Sequence, residues 1–257
     1  MKVRKIFFMT IVFIGSVTSQ IFAGNPNADG DSTKKEFPGV VFANVYSGFY
    51  YTIDGNNTPV TAFNFPTGLL GYTHKLSDNV KGTLIYDVTR TTNFLYTDTS
   101  GISNYFEGSK YTAFLKMAQV DWRINKTAEI SFGQLLNEQY LTLQDKFWGY
   151  RYIAVTFQEL NRFGNPADFG ARLKFFMLGE KLQYSITAVN GEGPFRYQDN
   201  YGKFLISNNI EYAPSKEWII KIYGDYMMPP SDTMKARIVL SPFVGYKCDK
   251  FRVGLEY

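Results

Sequence analysis

Residues 168–177 read DFGARLKFFM, and this stretch decides the fold. Phe169, Ala171, Leu173, Phe175 and Met177 take one set of alternate positions, while Asp168, Gly170, Arg172 and Lys174 take the other. Successive side chains on an extended strand point to opposite faces, so one face is apolar and the other charged. The rhythm continues downstream. Leu182, Tyr184, Ile186 and Ala188 alternate with Gln183, Ser185 and Thr187, and Phe204, Ile206, Ile210 and Tyr212 with Ser207, Asn209 and Glu211. Trp218, Ile220 and Ile222 alternate with Lys221, Tyr223 and Asp225, and Phe251, Val253, Leu255 and Tyr257 with Arg252, Gly254 and Glu256. From Val40 onward the period of two predicts eleven strands, over 39–51, 61–75, 79–91, 110–123, 127–137, 166–178, 181–190, 203–213, 217–227, 234–246 and 250–257.

Many of these segments are longer than the five or six residues usual in soluble sheets and match the length that crosses a bilayer at a tilt. The connections alternate. Short ones fall at 76–79, 124–126, 178–181, 213–216 and 247–250, and long ones at 52–60, 92–109, 136–166, 191–203 and 228–233. Long alternating strands, short turns on one side and long loops on the other predict an all-β, antiparallel transmembrane β-barrel. It has about twelve strands, short periplasmic turns and long extracellular loops. The eleventh strand is odd-numbered and runs outward, so the chain is expected to stop at Tyr257 before its closing strand. A strand hidden within 138–165, for instance over 148–157, is the rival explanation.

Composition agrees with this class. Aromatic residues make up 18 % of the chain and charged residues 19 %, a balance that excludes disorder. One cysteine, Cys248, permits no internal disulfide, and one histidine, His74, leaves little for metal or triad chemistry. His74 also falls at the turn end of its strand, away from the outer rim. No nucleotide loop, HExxH, CxxC pair or calcium loop is present, so neither a cofactor nor an enzymatic activity is expected.

The first 23 residues, MKVRKIFFMTIVFIGSVTSQIFA, have the basic start, short apolar run and small final residue of a cleavable signal peptide. Residues 24–37 read as a flexible leader and 38–257 as the barrel domain. Without Lys2, Arg4 and Lys5 the formal charge of +4 falls to +1, so the basic balance says nothing of nucleic acid.

The polar face of the strands is expected to line the interior. It carries Lys81, Asp87, Lys116, Glu129, Asp168, Arg172, Lys174, Glu211, Lys221, Asp225, Lys235 and Arg237. A basic excess of this kind favours small anions weakly. The loop over 138–165 holds Phe147, Trp148, Tyr150, Tyr152 and Phe157, too aromatic for an idle surface tip. It is expected either to fold inward, with Arg151 and Arg162 at a constriction, or to cap the outside.

Several short motifs occur in order: Trp148, Gly149, Tyr150 and Arg151; Thr156–Phe157; Ala167–Gly170; and Asn190, Gly191, Glu192 and Gly193. With the early hairpin at 65–90 and Gly133–Gln134, they resemble bacterial outer-membrane porins of the phosphate-selective porin O/P type, over about 65–214. The resemblance implies passive diffusion of small hydrophilic solutes, including anions such as phosphate, across the outer membrane of a Gram-negative bacterium. Expected partners are outer-membrane lipid, the barrel-assembly machinery, small solutes or anions, and other copies of the chain in a homo-oligomer. The sequence departs from the family in lacking a proline over 137–141. A glycine turn at a strand end accounts equally well for 190–193. The competing reading is a non-conducting barrel that serves as an adhesion or structural scaffold.

Overall fold

The computed structural model describes residues 8–9, 21–22, 39–52, 60–89, 94–97, 103–106, 111–139, 143–149, 156–161, 163–194, 198, 202–229 and 235–257. Most of the expected signal peptide, the leader at 24–37, and Tyr150, Arg151, Tyr152 and Arg162 lie outside them. Eleven antiparallel strands form one sheet: β1 (Gly39–Thr52), β2 (Val60–Lys75), β3 (Val80–Thr89), β4 (Thr112–Asn125), β5 (Ala128–Leu136), β6 (Ala167–Met177), β7 (Leu182–Val189), β8 (Leu205–Tyr212), β9 (Trp218–Met227), β10 (Arg237–Lys247) and β11 (Arg252–Glu256). Each pairs with its neighbours in the chain, so the sheet is a meander. It is not closed: among the described residues β11 pairs with β10 alone. Two short pairings, Phe8–Met9 and Ile21–Phe22, lie against β1, and Phe94–Thr97 forms a small hairpin with Ser103–Phe106.

The chain divides into two compact units. The first holds 40–72 and 85–115 along with residues 1–23. In it the Phe42 ring occupies the space beside Gly71, where a Cβ would strike the ring at 2.1 Å. Phe49 meets Phe63 at 5.2 Å, Phe65 meets Tyr111 at 5.4 Å, and the Thr67 hydroxyl donates to Asp87.

The second unit, 73–84 and 116–257 with 24–39, carries the longest run of regular pairing. Its burial pattern is the inverse of a soluble sheet's. On β9 the polar alternates Lys221, Tyr223 and Asp225 are 1 %, 1 % and 5 % exposed, whereas Ile220 and Ile222 are 41 % and 46 % exposed. On β8, Ser207, Asn209 and Glu211 are buried and Ile206 and Ile210 exposed. The register aligns the polar side chains in rows, with Glu211 opposite Lys221 and Ser207 opposite Asp225. Cross-strand pairing of this kind satisfies charges that a covered face would otherwise leave stranded. The turn joining β6 and β7 is tight, with Leu178, Gly179 and Glu180 all in the left-handed region.

The long connection between β5 and β6 contains no strand among its described residues. It contributes two short helices, α1 (Leu143–Trp148) and α2 (Phe157–Leu160). Of the strand suggested over 148–157, Trp148 ends α1 and Phe157 begins α2, and residues 150–155 lie outside the described residues.

Candidate functional site

The connection between β5 and β6 is an insert that leaves and returns at one point. The Asn137 amide donates to the Pro166 carbonyl at 3.0 Å, and the Asn137 side chain donates to the Asn165 carbonyl at 2.9 Å. The Asn137 side-chain oxygen also accepts from the Gln139 amide at 2.8 Å, a local turn that sends the chain back over the sheet. Between those closures the insert packs on the polar face of β6–β11.

Its first anchor is ionic. Glu138, 3 % exposed, places Oε1 2.7 Å from Lys174 Nζ and Oε2 3.3 Å from Arg172 Nε, and the Ser185 hydroxyl donates to Oε2. Arg172 also donates to the Leu136 carbonyl and to the Thr187 hydroxyl at 3.2 Å. Burial by itself pushes the Glu138 carboxyl up, but Arg172, Lys174 and Ser185 outweigh it and hold the group below the ordinary glutamate value. Next along the chain, the Gln139 carbonyl accepts from the buried Lys221 ammonium.

The second anchor is aromatic. Phe147 of α1 is buried with Ile219 and Phe243, its ring 5.3 Å from that of Phe243. Trp148 packs beside them, and its indole N–H donates to Glu256 at 2.8 Å. Two glycines make the seat: a Cβ on Gly245 would stand 2.6 Å from the Phe147 ring, and one on Gly254 2.7 Å from Trp148. Arg252 donates to the carbonyls of Phe147 and Trp148, the last carbonyls of the helix. Gly149 ends α1 with φ +64°, a conformation that favours glycine. The third anchor is α2, capped by Thr156, from which the buried Gln158 amide donates to Ser241.

A separate staple ties the sheet end together. Asp168 accepts from the Gly191 and Gly193 amides at 2.6 and 3.1 Å, and Asn165 donates to the Gly191 carbonyl at 3.0 Å. Gly191 and Gly193 have φ of +107° and +82°, so both glycines meet a backbone requirement. Asn190 donates to Gln198, and Glu192 stands half-buried between the glycines. A cavity of about 30 Å3, lined by Glu138, Asp168, Arg172, Thr187, Ser207 and Tyr223, lies between the insert and the sheet. It has room for about one water molecule.

Among the residues singled out from the sequence, Asp168, Arg172, Lys174 and Lys221 come together under the insert, and Trp148 and Gly149 belong to the insert itself. Arg237 lies at the start of β10, 3.7 Å from Asp225, and Lys235 is exposed just before it. Lys116 is buried, but it shares strand parity with the exposed Val120 and Trp122 rather than with the buried Asp121. Tyr150 and Arg151 lie outside the described residues.

Sequence reasoning missed Asp121, Glu138 and Gln158, and it set Glu256 on the polar side of its strand without a role. Asp121 accepts from Ser131 and pairs with Lys81 at 3.4 Å. A signal for Glu138 was present in the strands: the cross-strand neighbours of Arg172 are Ser131 and Thr187, so its buried charge needed an acid from elsewhere.

No family model, curated protein or solved structure matches this chain.

Proposed function

We propose that the chain forms the wall and the inner constriction of an outer-membrane β-barrel, a porin-like channel for passive diffusion of small hydrophilic solutes. The observation that carries this reading is the inverted burial on β8 and β9. In water, Ile206, Ile210, Ile220, Ile222, Ile238 and Leu240 would hold their exposed faces against solvent at a combined cost on the order of 10 kcal/mol. That is as large as the whole stability of an ordinary domain. Against lipid tails the cost disappears. The polar face then turns toward a hydrated interior, where the insert narrows the passage. In such a setting the sheet edges must also find partners, because an unpaired backbone group in lipid costs several kcal/mol.

The resemblance to phosphate-selective porin O/P type proteins supports the same reading, and the signal-like residues 1–23 agree with export from the cytoplasm. The packing of the insert favours one second reading, a non-conducting scaffold barrel, since the cavity that Glu138 and Asp168 both line has a volume of only about 30 Å3. Full-length protein folded into detergent and reconstituted in planar bilayers separates the two. A folded, heat-modifiable barrel with stepwise conductance supports the channel. The same folded barrel without conductance leaves the scaffold.

A further inference from the structure

The strand face taken alone carries more bases than acids, and that excess motivates the expectation of anion preference. The insert changes the balance. Arg172 has only Ser131 and Thr187 beside it across the strands, and Lys174 has Glu129 and Ser185. Glu138 reaches both cations at once, at 3.3 and 2.7 Å, and no wall strand supplies it. Lys221, the next cation along the face, sits opposite Glu211 and donates to the Gln139 carbonyl. Asp121 and Glu256 add acid to the same face and Arg123 and Arg252 add base to it, so Glu138 is the acid that changes the balance beside Arg172 and Lys174.

We propose that Glu138 is a selectivity-determining residue: delivered by the insert, it masks Arg172 and Lys174 and sets the channel to pass neutral or weakly charged hydrophilic solutes rather than anions such as phosphate. The inference rests on the channel reading above. Its physical basis is simple. A unit charge about 8 Å from a passing ion in water changes that ion's local concentration roughly twofold, in opposite directions for the two signs. Removing the Glu138 charge therefore raises the chloride-to-potassium permeability ratio about fourfold.

The test is the reversal potential of the full-length protein in planar bilayers under a potassium chloride gradient. Wild-type protein gives a ratio near one, Glu138→Gln moves it about fourfold toward chloride, and Glu138→Gln with Lys174→Gln returns it toward wild type. Lys174→Gln alone leaves Glu138 with Arg172 and moves the ratio toward potassium, a readout that survives if Glu138→Gln does not fold. Conduction with an unchanged ratio in folded Glu138→Gln, or in Lys174→Gln where Glu138→Gln does not fold, overturns the inference and leaves the channel standing. A folded wild-type barrel that does not conduct overturns both.

Discussion

The wall and the insert are held in opposite ways. On β8 and β9 Ser207, Asn209, Glu211, Lys221, Tyr223 and Asp225 contribute the same thing, a buried polar group aligned with a neighbour across the strand, and no single one of them dominates. The insert is fixed at a few points instead: Glu138 on β6, Phe147 and Trp148 over Gly245 and Gly254, and Gln158 on Ser241. Between these points its satisfaction is poor. The Gln139 and Gln144 side chains are fully buried, and neither amide atom of either finds a partner among the described residues. Each unmet group costs about 1–3 kcal/mol. Distributed pairing makes a wall that tolerates change; isolated anchors make an insert that one substitution can release.

The comparison breaks most readily at Phe147. Phe147→Ala empties the seat above Ile219 and Phe243 and is expected to weaken docking of the insert by about 3–5 kcal/mol. Limited proteolysis of the reconstituted protein reads it as new cleavage within 138–165, with the sheet itself still resistant. Equal resistance in the variant would mean that the aromatic anchor does not hold the insert.

A change on the outward face of the wall has the complementary signature. Ile222→Lys places a charge among residues read as lipid-facing and is expected to cost about 2–4 kcal/mol of folding into liposomes, while the insert stays protected. Unchanged folding yield would count against the lipid assignment of that face.

Acid gives the smallest and most local effect. The folded pKa of Glu138 lies below its unfolded value, so its contribution is fully present above the ordinary glutamate range and is lost as pH falls through the folded value. Protease protection of the insert is expected to decline over that acidic window while the sheet persists, and Glu138→Gln abolishes the dependence.

The strands were legible because their signal is local. The alternation at 166–178 predicts β6 at Ala167–Met177 to within a residue at each end, and the segment at 217–227 predicts β9 at Trp218–Met227 equally closely. Lys116 shows where that reading weakens, since a single lysine among mixed neighbours does not reveal its strand parity. The helices of the insert escaped because six and four residues are too few to establish a helical period.

Alternating side chains were enough to divide the molecule into an apolar and a polar face, because a strand's geometry assigns each residue to a side without reference to anything distant. Which polar groups meet was decided only in three dimensions. Glu138 reaches Arg172 and Lys174 across an excursion that closes at Asn137 and Pro166, and Trp148 finds Glu256 more than a hundred residues away. Coulomb attraction and packing act through space, so pairings of this kind leave no periodic trace in the chain.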